Sequence, residues 1–144
     1  MKKNLKTQFS TRQYMLSKDY ELYYYSDSHM ANVDSHTHDY YEFYFFLEGT
    51  VSYLIEKQLY NLKAGDVVVI PPGIHHKAVI HDSEKPYSRF VFWISIDYYK
   101  RIRQMSEDYF YIIHLAREKQ QYVFHNDAVA FSSIQSRIFH LIEE

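Results

Sequence analysis

The chain has 144 residues, enough for one domain of ordinary size and too few for two. Hydrophobic residues make up 47 % and aromatics 19 %, which predicts a packed core rather than a disordered chain. A formal charge of −2 argues against a polyanion binder taken as a whole, and the absence of cysteine removes disulfides, thiolate metal sites and cysteine nucleophiles. Only Gly49, Gly65 and Gly73 are present, so no phosphate-binding glycine loop, dinucleotide fingerprint or serine-hydrolase elbow can be written.

In chain order, residues 1–18 carry Lys2, Lys3, Lys6, Arg12 and Lys18 without an acid, +5 there against −7 over the rest, and read as a solvated basic N-terminal arm. Asn4-Leu5-Lys6 follows the first charges with no apolar segment behind them, so this is not a signal peptide. The longest apolar runs, Phe90 to Ile94 and Tyr109 to Ile113, are about five residues against the ~20 that cross a bilayer; a cytoplasmic protein with no membrane contact is expected. From residue 19 to 97 the texture is that of strands. Glu21 to Tyr25, Glu42 to Leu47, Val51 to Ile55, Val67 to Ile70 and Ser88 to Ile96 are rich in aromatic and β-branched residues and separated by turn signals such as Lys63-Ala64-Gly65-Asp66 and Pro71-Pro72-Gly73. Beyond Asp97 the pattern changes. Tyr98 to Met105 and Asp127 to Glu144 lack breakers, and the second places Val129, Phe131, Ile134, Ile138, Leu141 and Ile142 at helical spacing behind an Asp127 N-cap. The expectation is a β-sandwich or barrel over 19–97 followed by helices over 98–144.

Two stretches carry chemistry: His36-Thr37-His38-Asp39-Tyr40-Tyr41-Glu42, and Gly65 through Pro71-Pro72-Gly73 to His75-His76. Along a strand His36, His38 and Glu42 share a face, yet a flat strand would set His36 ~20 Å from Glu42. The segment must bend or bulge near Asp39 to Tyr41 if all three are to meet, and a fourth ligand can then arrive after Pro71-Pro72-Gly73. Three imidazoles and one carboxylate suit Fe(II), Mn(II), Ni(II), Cu(II) or Zn(II), and the donor types alone do not choose among them. Neutral histidines hydrogen-bonded inside a polar barrel, without metal, are the alternative.

The spacings His36-x-His38-x3-Glu42-x6-Gly49 and Gly65-x5-Pro71-x-Gly73-x2-His76 resemble the two cupin motifs. The resemblance implies an all-β cupin barrel (double-stranded β-helix, or jelly roll) followed by C-terminal α-helices, with His36, His38, Glu42 and His76 as metal ligands. Met30 stands where the first motif usually has its leading glycine, and Ile80 where the second usually ends in asparagine. With Arg89-Phe90-Val91-Phe92-Trp93 and the helix at Tyr98-Tyr99, the chain also resembles the N-terminal sensing domain of AraC-type transcription regulators. That resemblance implies a small-molecule effector, often a sugar, held in the barrel. It also implies a homodimer formed through the trailing helices, and DNA binding by a C-terminal helix-turn-helix region that is not in this sequence. The stop at Glu144 within an amphipathic pattern is expected for a piece of a longer regulator.

On this reading the chain is a sensing and dimerisation domain and not a catalyst. Tyr40 and Tyr44 share the strand parity of the ligand histidines and are candidate pocket walls; Arg89, Phe90 and Trp93 are candidates whose facing is left open. The rival is a stand-alone mononuclear metal cupin enzyme of dioxygenase or isomerase type, which needs an acid, base or anchoring charge beside the metal.

Overall fold

The computed structural model describes residue 9 and residues 12–144. Lys2, Lys3 and Lys6 of the expected basic arm lie outside the described residues. Among the described residues, eight strands form two antiparallel sheets: β1 Tyr20–Asp27, β2 Tyr41–Glu48, β3 Val51–Ile55, β4 Gln58–Asn61, β5 Val67–Ile70, β6 His76–Ile80, β7 Tyr87–Ile94 and β8 Val123–Phe124. One sheet runs β1-β7-β2-β5-β8 and the other β4-β3-β6. Three helices follow the barrel strands, α1 Ile96–Met105, α2 Tyr111–Lys119 and α3 Ala128–Glu143, with a 3-10 turn over Glu107–Phe110 before α2.

The β3 and β5 spans coincide with the sequence expectation, and α3 starts behind the expected cap, Asp127 accepting from the Ala130 amide at 2.8 Å. Two short strands, β4 and β8, and one helix, α2, were not expected, while β6 is the strand expected after Pro71-Pro72-Gly73 to bring the fourth ligand, its bounds not given by the sequence. β4 and β6 are partly exposed and mix polar with apolar residues, and α2 has no side-chain cap at its start. Residues 98–144 are therefore not purely a helical extension, because β8 pairs with β5 (Val67 with Phe124, Val68 with Val123) and completes the larger sheet.

Pairing fixes which side chains face inward. Along β7, Arg89, Val91 and Trp93 point into the barrel, opposite Tyr25, Tyr23 and Glu21 of β1. Phe90 points to the outer face, where with Phe45 and Leu47 it forms a second cluster against Phe131, Ile134, Ile138, Phe139 and Ile142 of α3. Both faces of this sheet are covered, which is why β2 and β7 read as near-continuous apolar runs rather than alternating ones.

Candidate metal centre and cavity

The first two histidines are not in a regular strand. His36 forms an isolated bridge to His76, exchanging backbone hydrogen bonds of 3.1 Å in both directions. The chain bends at Asp39 and Tyr40 before β2 begins at Tyr41, and the Gly73 amide donates to the His38 carbonyl at 3.0 Å. This bend supplies the curvature that the donor spacing demands. It brings one ligand atom from each of His36, His38 and His76 within 4.8 Å of the others.

Each imidazole is oriented by a main-chain carbonyl two residues away. Nδ1 of His36 faces the Asp34 carbonyl at 3.0 Å, Nδ1 of His38 the Tyr40 carbonyl at 2.9 Å, and Nδ1 of His76 the Ile74 carbonyl at 2.8 Å. A carbonyl accepts only, so Nδ1 must carry the proton, and each neutral ring presents a bare lone pair on Nε2. Glu42 reaches the same place: its Oε2 lies 3.1 Å from Nε2 of His76 and 3.5 Å from Nε2 of His38. Its Oε1 accepts from the Trp93 indole at 3.1 Å, which holds the carboxylate in position.

These atoms fit a cation. Nε2 of His38, Nε2 of His76 and Oε2 of Glu42 are buried without a hydrogen-bond partner, and they face one another as acceptors. Buried acceptors at this separation repel unless a proton or metal lies between them. Metal bonds of about 2.0–2.2 Å put neighbouring ligand atoms roughly 3 Å apart, close to the 3.1 and 3.5 Å between Glu42 and the two imidazoles, while the three histidine atoms lie within a wider 4.8 Å. The electrostatics agree in direction. Burial pushes the Glu42 carboxyl up, but His38 and His76 beside it outweigh that and hold it well below the usual carboxylate range. Burial pushes His76 down, yet Glu42 holds it above its ordinary value; His36, for which burial dominates, lies below its own. The carbonyl contacts on Nδ1 are the orienting interactions that metal-bound histidines usually have.

Beside this centre lies a cavity of about 90 Å³. Its walls include His36, Glu42, Tyr44, Arg89 and Trp93, together with Arg12, Tyr25, Met30, Tyr53, Ile80 and Tyr87. Of the five residues expected to line a pocket, Tyr44, Arg89 and Trp93 do so. Tyr40 is buried beside it, stacked on the His38 ring with centroids 3.9 Å apart and packed on Trp93 at 4.8 Å. Phe90 lies on the other side of the sheet under α3, because β7 carries odd-numbered residues inward. Tyr25, Tyr53 and Tyr87 were missed. Met30 and Ile80, singled out only as departures from the cupin motifs, both stand in the wall.

Two antiparallel sheets with a histidine-rich centre beside a cavity define a cupin barrel. Residues 20–112 match the model of the AraC-like ligand binding domain, and the chain belongs to that family. An RmlC-like cupin family protein with a double-stranded β-helix fold from Methanocaldococcus jannaschii is 14 % identical, with a TM-score of 0.50 over 66 % of this chain and 93 % of that one. A protein from Photorhabdus luminescens is 15 % identical, with a TM-score of 0.50 over 62 % of this chain and 75 % of that one. A Cupin 2 conserved barrel domain protein from Salinispora arenicola is 20 % identical over 69 % of this chain and 80 % of that one, TM-score 0.49. At such identities the likeness to the two structures at 0.50 establishes the fold alone. A search of the curated proteins gave no match. Among the described residues, no helix is long and apolar enough to cross a membrane.

Proposed function

We propose that the chain is the effector-sensing part of an AraC-type transcription regulator, binding a small molecule in the barrel and not transforming it. One observation carries this reading: among the described residues, every carboxylate and imidazole in the cavity wall is committed to the histidine centre. Its only carboxylate, Glu42, is turned to the histidines, and the other titratable groups facing it are arginines, His36 and tyrosines. Burial pushes the Tyr25 and Tyr87 phenols up to about 12 and those of Tyr44 and Tyr53 well above their ordinary value, so near neutral pH they stay protonated. What remains is a set of aromatic faces and fixed donors, the furniture of a binding pocket.

A divalent transition metal (Zn, Ni, Mn or Fe) held by His36, His38, Glu42 and His76 would supply a Lewis-acid anchor for an oxygen of the guest. A homodimer, and DNA contact through a helix-turn-helix region other than residues 1–144, belong to the same proposal. Trp93 is the sole tryptophan and lies in the cavity wall, so its emission reports occupancy. Titration with a metabolite library, with and without added metal and air, is expected to find guests that shift the emission saturably and are recovered unchanged. Conversion of a guest, or oxygen uptake with it, would contradict sensing and point to a cupin enzyme.

A further inference from the structure

The cavity wall is more cationic than a pocket for a neutral guest requires. Arg12 and Arg89 both stand in it, whereas their partners Glu21 and Asp27 do not. Arg89 is the more deeply set, only 2 % exposed at the centre of β7. Its Nη1 donates to Asp27 Oδ2 at 2.9 Å and to the Tyr87 carbonyl at 2.9 Å. The guanidinium lies over the Tyr87 ring at 4.1 Å and the Tyr25 ring at 4.9 Å. Among the described residues, Nη2 reaches only the Met30 sulfur, at 3.7 Å. A thioether is a weak acceptor, so an immobilised, buried cation has a donor opposite a poor partner. Burying an arginine for packing alone is costly, and the Asp27 pair is a dipole whose positive end faces the cavity.

We infer, resting on the sensing reading above, that the effector is a small organic acid whose carboxylate pairs with Nη2 of Arg89, Met30 giving up its place, while its apolar body lies on the tyrosine rings. A carboxylate matches the planar fork of a guanidinium and forms the stronger, charge-assisted hydrogen bond that the sulfur cannot. Arg89 is in this sense the specificity-determining residue of the cavity.

The test compares matched probes on the intact chain by Trp93 emission: benzoate and hexanoate against benzamide and hexanamide, with ribose as a neutral polyol. At least one acid is expected to bind saturably and its amide at least about tenfold more weakly, the loss of one charge-assisted contact. Arg89→Gln should bring the acid down to the amide's affinity. Should that variant not fold, as read by circular dichroism, Asp27→Asn serves instead: freeing Arg89 from its pair should raise the acid's affinity and leave the amide's unchanged. An amide that binds as tightly as its acid, no acid response at all, or an acid-to-amide ratio unmoved by Asp27→Asn overturns the carboxylate assignment. Ribose bound under the same conditions would leave the sensing reading standing without it; chemical conversion of any bound probe would overturn that reading instead.

Discussion

Glu21 shows how much a single buried charged side chain holds together. Its Oε1 accepts from Arg12 at 2.9 Å and from the Tyr23 hydroxyl, and its Oε2 from the amides of Leu16 at 2.8 Å and Ser17 at 3.3 Å. Burial pushes this carboxyl up, but the Tyr23, Arg12 and backbone hydrogen bonds outweigh it and the net shift is downward. A carboxyl depressed by folding stabilises the folded chain above its unfolded value, about 4.3, and that contribution is lost as pH falls through the lower folded value. Urea midpoints of the wild type are therefore expected to fall on acidification below about pH 4.3, and those of Glu21→Gln to fall less steeply, from a neutral-pH start about 1–3 kcal/mol less stable. Parallel pH profiles would contradict this role. The metal-centre histidines follow the same local logic, each ring aimed by a carbonyl two residues away. Their shared strand face and the need for a bend were legible from spacing, whereas their naming as a ligand set came from the resemblance to the cupin motifs. Arg89 was legible as a candidate but its facing was not, since the run from Phe90 to Ile94 shows no alternation from which an inward parity could be read.

At the level of elements, the outer face of the larger sheet explains why that run lacks alternation. α3 lies on it through Phe131, Ile134, Ile138, Phe139 and Ile142, so Phe90 is buried on the side away from the cavity. The helix is tied to the β4–β5 turn at its start: Asn126 donates to the Gly65 carbonyl at 2.8 Å, and His125 lies 2.8 Å from the buried Asp66 carboxylate. Gly65 has φ +97°, and a Cβ there would stand 2.9 Å from the Phe131 ring. Gly65→Ala is thus expected to destabilise by about 1–3 kcal/mol through backbone strain and the clash, and Phe131→Ala by about 2 kcal/mol through lost packing. In urea unfolding the double variant should lose less than the sum, because removing the ring removes the clash; strict additivity would place α3 elsewhere. The existence and phase of α3 could be read from its apolar spacing and Asp127 cap, whereas what it covers could not, since a stripe at i, i+3, i+7 suits a sheet or a second helix equally. β8 escaped notice for another reason: two residues carry no periodicity, and only pairing with β5 makes them a strand.

Over the whole molecule, one barrel sets a cation-ready centre beside an aromatic cavity. Trp93 joins the two, its indole holding Glu42 while its ring lines the space. The barrel itself was foreseeable, because strand-rich texture, turn glycines and the two histidine stretches all point to one curved cage. The cavity's remaining walls were not: Tyr25, Tyr53 and Tyr87 come from three strands whose inward phase only cross-strand register decides. The orphaned Nε2 and Oε2 atoms of the centre need a proton or a shared metal between them, and a metal-binding titration separates the two. Calorimetric titration of the metal-stripped chain with Zn²⁺ at neutral pH is expected to show one ion bound per chain, with Trp93 emission changing in step and affinity falling at least about tenfold in a folded His38→Ala variant. Absence of saturable binding, or equal binding by His38→Ala, would contradict a shared metal.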